Sequence, residues 1–175
     1  MILGLDISTS ILGYTILDDN GKIVVCDCID MRKVDGDILV KGKIVEEKFT
    51  ELSQQYIITN VFIEQSLQAF RPGLSSAAVI LLLGKFNGIV SWLASKIFGM
   101  YPEFIGATTA RKAVGIKVPK GENSKEVVLK HILDSVPEFV VQYTPKGNPK
   151  QGTFDRADSW VIAYSGYLSC MKKES

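Results

Sequence analysis

The sequence has few of the side chains that form disulfides or zinc sites, with three cysteines and one histidine among 175 residues. Cys26 and Cys28 alternate in the manner of strand residues, and no second cysteine pair accompanies them, so we expect semi-buried thiols rather than a zinc site. An odd cysteine count, completed by Cys170, does not fit a secreted, disulfide-linked domain. These absences favour a protein that works with reduced thiols.

The start of the sequence is not expected to act as a secretory signal, and the sequence contains no evident linker or internal repeat. Residues 1–6 contain neither a basic segment nor a small-residue cleavage site, so we expect an intracellular location, in the cytoplasm or nucleoid or in a viral or organellar equivalent. No long polar or Pro/Gly/Ser-rich stretch divides the chain. With 46% hydrophobic residues, 175 residues supply one core rather than two. Residues 1–175 are therefore predicted to form a single domain.

Neither sign of charge is in excess, because 20 basic residues face 19 acidic ones. The net charge of +1 does not by itself indicate a nucleic-acid-binding protein, but the distribution is uneven. The segment 111–130 has only Glu122 and Glu126 to oppose six basic residues: Arg111, Lys112, Lys117, Lys120, Lys125 and Lys130. This segment is either a solvated surface or a surface that contacts phosphates, and its composition favours neither.

One long apolar run spans residues 75–100 and resembles a membrane segment in length. A lysine at the centre of a bilayer costs about 2.5–3.5 kcal/mol, so Lys85 and Lys96 argue against insertion. We expect a helix over 75–98 that is buried in a domain outside the membrane and turns its polar residues, including Asn87, outward. Gly84 and Gly88 would allow another helix to approach closely, either in a second copy of the chain or within the same domain.

Hydrophobic periodicity predicts an ordered alternation of strands and helices. The predicted strands are 2–7, 12–17, 22–29, 57–63 and 104–107, and the predicted helices are 38–56, 75–98, 108–114, 123–133 and 153–170. Asn20-Gly21 favours a tight hairpin turn between the second and third strands. This order predicts an α/β fold with a central mixed five-stranded sheet, in which three antiparallel strands are followed by parallel strands, flanked by helices on both faces.

Two acids stand at the ends of apolar strands. Asp6 closes the first strand and Glu64 closes the fourth, where flanking apolar residues indicate central strands. A buried carboxylate requires a basic partner or a metal ion. These two acids are therefore candidates for a functional site.

Two further acids lie in the last predicted helix. Asp155 and Asp158 are three residues apart and share one helix face, where they repel each other unless a cation lies between them. Taken alone, this pair is better explained as acids favoured near a helix N-terminus. If Asp6 and Glu64 lie on adjacent strands beneath this helix, all four converge, and oxygen ligands without His or Cys favour Mg²⁺ or Mn²⁺. Two such ions about 3.5–4 Å apart would activate a water and stabilise the leaving 3′ oxygen of a phosphodiester.

Four segments resemble, in the right order and over nearly the whole chain, the motifs of the RuvC Holliday-junction resolvases in the RNase H-like superfamily. The segments are Gly4-Leu5-Asp6-Ile7-Ser8-Thr9-Ser10 with Gly13-Tyr14, Val61-Phe62-Ile63-Glu64-Gln65, Ala110-Arg111-Lys112-Ala113-Val114-Gly115-Ile116, and Asp155-Arg156-Ala157-Asp158-Ser159. Each motif alone is weak, and the four in sequence form a specific signal.

The resemblance implies an RNase H-like fold and a homodimer that introduces paired nicks into four-way DNA junctions, leaving ligatable ends. It implies Mg²⁺, with Mn²⁺ able to substitute, held by Asp6, Glu64, Asp155 and Asp158. Two active sites related by a two-fold axis suit a two-fold junction, so we expect the dimer to form through the 75–98 helix.

The resemblance also implies roles for basic and aromatic residues. Lys112 and Lys125 correspond to basic residues near the scissile phosphate, although the spacing around 118–121 differs from the family pattern. Phe70, or alternatively Leu67, is the candidate for stacking at the junction centre, a contact worth about 1–3 kcal/mol, unless the aromatic covers the core. The predicted DNA-binding residues are Phe70, Arg71, Arg111, Lys112, Lys117, Lys120 and Lys125.

Three other functions remain open from the residues alone. The segment from Gly4 to Thr9 also resembles the first phosphate motif of actin-like ATPases and sugar kinases, but the chain lacks the second domain and second glycine-rich loop that enclose a nucleotide. The four acids do not distinguish a junction from RNA or from a DNA flap. A non-catalytic module that binds DNA junctions is the remaining alternative.

Overall fold

The computed structural model describes residues 1–65 and 76–174. The strands are β1 (Ile2–Asp6), β2 (Ile11–Leu17), β3 (Ile23–Asp30), β4 (Asn60–Glu64) and β5 (Glu103–Ile105). The helices are α1 (Ile38–Gln55), α2 (Ala77–Phe98), α3 (Ala107–Ala113), α4 (Ser124–Ser135) and α5 (Thr153–Glu174).

The strands form a mixed sheet in the order β3-β2-β1-β4-β5. The first three are joined as antiparallel neighbours, whereas β4 runs parallel to β1 and β5 runs parallel to β4. The predicted α/β fold with a mixed five-stranded sheet is confirmed.

Side-chain alternation divides β1 between two hydrophobic cores. Leu3 and Leu5 belong to the core that contains the buried side chains of α1 and α2. Ile2 belongs to the opposite core, which contains α5 and the buried side chains of α3 and α4. Gly4 faces the same side, against Ala163 of α5. Because successive strand residues point to opposite faces, Asp6 is directed toward α5 as well.

The hairpin between β2 and β3 turns through Asp18 and Gly21. The Gly21 N–H donates to the Asp18 carbonyl at 3.0 Å, and the Asp18 N–H donates to the Lys22 carbonyl at 2.9 Å. Gly21 has φ +76°, whereas Asn20 does not adopt a positive φ. The predicted tight turn is therefore an ordinary turn followed by a left-handed glycine, rather than one with both central residues left-handed.

Side-chain hydrogen bonds stabilise the starts of two helices. In α4, Asn123 accepts a hydrogen bond from the Lys125 N–H at 3.0 Å, so it caps the helix without bonding to Glu126. In α5, Thr153 is already helical, and its hydroxyl donates to the Lys150 carbonyl at 2.7 Å.

Helix α2 buries only one of its faces. Phe86, Val90 and Leu93 pack into the core with α1, but the opposite face leaves Leu81 and Trp92 each 60% exposed. The expectation of a buried helix holds for one face alone. By length and composition α2 could cross a membrane, with 28% of its most apolar window buried.

The polar residues of α2 also divide between the faces. Lys85 and Lys96 are exposed, and Lys96 forms an ion pair with Glu46 of α1 at 3.1 Å. Asn87 is buried, so the expectation that it turns outward is wrong. The Ser91 hydroxyl donates to the Asn87 backbone carbonyl at 2.7 Å and lies 3.4 Å from the side-chain oxygen of Asn87.

Candidate metal and nucleic-acid site

The backbone brings Asp6 and Glu64 to neighbouring strand ends. In the parallel pair of β1 and β4, Leu5 is paired with Ile63, and each acid is the next residue along its strand. By strand alternation, both acids point to the same face of the sheet as Phe62, which lies in the core beneath α5. The strand register therefore places the two carboxylates side by side on the α5 face of the sheet.

Two glycines in the sheet allow α5 to lie close to these acids. Gly13 of β2 is paired with Asp6, and the backbone carbonyl of Asp155 occupies the space that a Cβ at residue 13 would need. A Cβ at Gly4 would collide in the same way with the backbone of Ala163. The start of α5 thus rests on the strand beside Asp6.

A buried polar contact also fixes α5 on the sheet. The hydroxyls of Thr15 in β2 and Ser159 in α5 share a hydrogen bond of 2.8 Å, and both residues are fully buried. Ser159 lies one residue beyond Asp158, so this bond holds the helix next to the second acid of the pair. The Ser159 hydroxyl also lies 2.8 Å from the Arg156 carbonyl, and the Thr15 hydroxyl lies 3.2 Å from the Cys26 sulfur, so the contact belongs to a small buried polar network.

The strand acids are half-buried, and their surroundings destabilise the ionised form of both. Burial raises the pKa of Asp6 well above its ordinary value, and the charges of Glu64, Asp158 and Asp155 raise it further, while Lys125 lowers it. Burial likewise raises the pKa of Glu64 to about 7, with a further contribution from Asp158. Both carboxylates therefore lack full compensation for their charge.

The helix acid Asp158 belongs to the same electrostatic cluster. Burial raises the pKa of Asp158, and Asp155 raises it further. Lys125 and Arg111 act in the opposite direction on this carboxyl. The four predicted acids, which are far apart in the sequence, thus form one negatively charged group on the α5 face.

The donor set fits a hard divalent cation better than zinc. All four groups offer carboxylate oxygens, and their mutual repulsion is what a bound cation would relieve. Within residues 1–65 and 76–174, however, no three His, Cys, Asp or Glu side chains already form a metal-ligand cage. The acids are close enough to shift each other's pKa without being gathered around one ion. Their predicted role as metal ligands stays a prediction.

The structure distinguishes among the predicted basic residues. Lys125, at the start of α4, and Arg111, in α3, both lower the pKa of Glu64 and Asp158. Lys112 is exposed, lines a groove of about 280 Å³ with Arg111 and is not among the charges that act on these two acids. Adjacent helix residues point about 100° apart, so only one of the pair faces the acids.

The remaining predicted DNA contacts are less closely tied to the acids. Lys117 and Lys120 are exposed in the segment between α3 and α4. Phe70, Arg71 and the alternative Leu67 lie outside the described residues. Their predicted roles at a junction stay predictions.

A groove of about 270 Å³ runs beside Asp155 and contains residues that the sequence did not single out. Its lining includes Arg32 and Lys150 together with Lys125. The position of Arg32 follows from the strand pairing. Asp30, at the end of β3, is paired with Ile11 at the start of β2, which lies next to the end of β1. No local signal marked Lys150, because its position depends on how residues 137–152 fold back.

The sequence comparison finds a bacterial junction-cutting enzyme. No protein-family model matches the chain. The crossover junction endodeoxyribonuclease RuvC of Aliarcobacter butzleri is 27% identical over 135 residues, covering 73% of this chain and 77% of that protein. The predicted resemblance to RuvC is confirmed.

Solved structures of resolvases share the fold. Thermus thermophilus RuvC in complex with a Holliday-junction substrate has a TM-score of 0.67 at 15% identity, covering 97% of this chain and 94% of that one. A second structure of T. thermophilus RuvC gives 0.62 at 17% identity, with 98% and 96% covered. The yeast mitochondrial Holliday-junction resolvase Ydc2 gives 0.60 at 14% identity, with 99% and 82% covered. The predicted RNase H-like fold is confirmed.

Proposed function

We propose that this RuvC-like chain is a structure-selective DNA endonuclease that resolves four-way junctions by paired, metal-dependent nicks. The observation that carries the proposal is the electrostatic cluster of Asp6, Glu64, Asp155 and Asp158 on the α5 face of the sheet. A purely structural protein has no reason to gather four half-buried, mutually repelling carboxylates. The bacterial relative, itself named as a junction endonuclease, supports the choice of DNA as the substrate.

The cofactor we propose is Mg²⁺, with Mn²⁺ able to substitute. Asp6, Glu64, Asp155 and Asp158 would hold the ions, and the bound ions would supply positive charge to the phosphate during in-line attack. The protein's own contribution is to hold the acids in position and to keep them ionised. Lys125 serves the second purpose, because its positive charge lowers the pKa of three of the four acids.

The substrate surface we propose lies around these acids. Arg32, Lys125 and Lys150 line the groove beside Asp155, where basic side chains would bind the phosphates of a DNA strand. Lys112, Lys117 and Lys120 would extend this basic surface. Contacts of this kind position a strand without reading its sequence.

Paired nicks require two active sites, and each chain supplies one set of acids. A homodimer would meet this requirement, and the exposed apolar face of α2 is the surface we propose for it. Exposed apolar patches of this kind often mark protein interfaces. The single-domain organisation and the intracellular location stay predictions.

The decisive experiment compares four substrates with matched sequences: a four-way junction, a flap, a linear duplex and an RNA–DNA hybrid. We expect cleavage of the junction in Mg²⁺, with symmetric nicks that a ligase can reseal. A clear preference for the hybrid or the flap would instead favour a nuclease of the same superfamily with another substrate. A protein that binds junctions in Mg²⁺ but leaves all four substrates intact would be a binding module.

Amide variants test whether the acids carry the activity. Asp6→Asn, Glu64→Gln and Asp155→Asn are each expected to abolish cutting and largely preserve junction binding, because charge is lost without a change of shape. Asp158→Asn is expected to be more tolerant. The control is Asp134→Asn, which removes an exposed acid of α4 and should cut like the unmodified protein. Full activity in the Asp6 and Glu64 variants would overturn the assignment of the site.

A further inference from the structure

The side chain of Arg156 joins three separate parts of the chain near the acids. Its Nε donates to the Cys26 carbonyl of β3 at 2.9 Å, and its Nη2 donates to the Val140 carbonyl at 3.1 Å. The guanidinium carbon lies 5.1 Å from the centre of the Phe139 ring. Arg156 itself belongs to the first turns of α5, between Asp155 and Asp158.

These contacts link the helix that carries the acids to the outer strand of the sheet. In the described residues, β3 is hydrogen-bonded to β2 and has no second strand neighbour. The bond from Arg156 to Cys26 therefore attaches α5 to β3, whereas the contact with Gly13 attaches α5 to β2. Together, the two contacts restrict the rotation of the first turns of α5 about the helix axis.

The contacts of Arg156 with Phe139 and Val140 link the same helix to one wall of the groove beside Asp155. From Val140 the chain continues through Gln142, whose backbone carbonyl accepts from the Lys150 N–H at 2.8 Å. Residues 149–152 then line the groove beside Asp155. Arg156 thus fixes the helix acids relative to the groove wall.

Only an arginine can make both bonds from one side chain at this position. Its planar guanidinium presents fixed donors to two carbonyls in different segments, whereas a lysine ammonium is a single point with a flexible stem. Arg156 is on a different helix face from the acids, since one residue corresponds to about 100° of rotation. It therefore acts on them through the backbone and not by direct contact.

We infer that Arg156 is a positioning residue, which sets the orientation of Asp155 and Asp158 toward Asp6 and Glu64 so that the four can hold divalent cations. The inference rests on the proposed function. Groups that orient metal ligands typically change metal affinity or activity about 10–100-fold when they are removed.

The test uses Arg156→Lys, which keeps the charge, and Arg156→Met, which keeps much of the stem. Binding of Mn²⁺ to the DNA-free protein is measured by electron paramagnetic resonance, and junction affinity is measured in Ca²⁺. We expect both variants to bind Mn²⁺ about 10–100-fold more weakly and to lose kcat by a similar factor, with KM nearly unchanged. A loss in the lysine variant would show that the fork of donors, and not the charge, is required.

The matched control is Lys173→Met, which removes an exposed ion pair with Glu103 at the far end of the same helix. It should leave Mn²⁺ binding and kcat unchanged. If Arg156→Met does not fold, Phe139→Leu, which removes the ring beneath the guanidinium, takes its place and should give a smaller loss of Mn²⁺ affinity.

Unchanged Mn²⁺ affinity and kcat in the folded Arg156 variants would overturn the inference. Equal losses in the Lys173 control would also overturn it, because the effect would then be a general loosening of α5. If the unmodified protein cut no DNA, the proposed function would fail, and the Mn²⁺ titration would still decide the role of Arg156.

Discussion

Gly13 and Asp155 are in direct contact, with the carbonyl of Asp155 in the space that a Cβ at residue 13 would occupy. Gly13→Ala must therefore push the first turn of α5 away from β2, in which residue 13 is paired with Asp6. Overpacking of this kind costs about 1–3 kcal/mol. We expect that loss in the free energy of unfolding, measured with urea, together with a marked loss of junction cleavage.

The control for this prediction is Gln54→Ala, at an exposed position of α1 away from the acids and from α5. It should be neutral or stabilising by about 0.5 kcal/mol at most, because alanine is the better helix former. A Gly13 variant as stable and as active as the unmodified protein would show that α5 can shift without consequence for the site.

Glu64 should make the metal-free protein less stable at alkaline pH. Its pKa is about 7 in the fold, where burial and Asp158 raise it above the ordinary value of 4.5. A raised pKa means that the protonated form stabilises the fold. This contribution is fully present below about pH 4.5 and is lost as the pH rises through 7.

We therefore expect the protein in EDTA to be less stable at pH 8 than at pH 5.5, by on the order of 1–3 kcal/mol from this group. Glu64→Gln should flatten the dependence, whereas Glu47→Gln, an exposed acid of α1, should not. Mg²⁺ added at pH 8 should restore stability, because it binds the folded state. This account would be contradicted if the urea midpoint changed by the same amount between the two pH values in the unmodified protein and in the Glu64 variant.

The placement of Asp6 and Glu64 is predictable from the sequence because strand alternation has a period of two. Each acid follows an apolar strand whose order in the chain is enough to predict a parallel neighbour, and the register confirms this placement. Asp155 and Asp158 are harder to assign from the sequence, since acids near a helix N-terminus have an ordinary explanation. Their proximity to the strand acids depends on Gly13, whose role appears only when the helix is packed on the sheet.

Two features could not be derived from local patterns. Arg111 and Lys112 are equivalent by composition, but burial of Ala110 sets the rotation of α3 and thereby brings Arg111 toward the acids. Helix α2 is apolar on nearly all sides, so its sequence does not reveal which face the fold leaves exposed. Both features depend on tertiary packing, which periodicity does not encode.

Lys125 and Arg111 should matter more for catalysis than Lys112. Replacing either by methionine removes a positive charge that lowers the pKa of Glu64 and Asp158. The acids would then ionise at higher pH, so the acidic limb of the rate profile should move upward. We expect the rate at neutral pH to fall on the order of 10²-fold, as for other electrostatic groups in active sites.

Lys112→Met is the matched comparison, because Lys112 is the next residue after Arg111 in α3. It should weaken junction binding at low salt with little effect on the pH profile, because Lys112 is exposed and does not act on the two acids. Single-turnover rates between pH 6 and 9 separate the two effects. A profile shifted by Lys112→Met and unchanged by Lys125→Met would reverse the assignment that the structure favours.

The last prediction concerns the exposed face of α2. Leu81 and Trp92 are each 60% exposed on this face, which makes it too apolar to remain uncovered without cost. Val79 and Leu82, in the first turns of α2 on the stripe of Phe86, are also 53% and 43% exposed. A dimer through α2 would bury these side chains, and a carboxylate introduced among them would have to be desolvated. We expect light scattering to give a dimer for the unmodified protein and a folded monomer for Leu81→Glu.

Leu133→Glu, at a 43% exposed leucine of α4, is the control and should remain dimeric. An unmodified protein that stays monomeric at high micromolar concentration would contradict the dimer. If that monomer also floats with neutral lipid vesicles, α2 covers its apolar face with lipid instead. A dimer that withstands Leu81→Glu would place the interface on another surface, and paired nicking would then need a different arrangement of the two active sites.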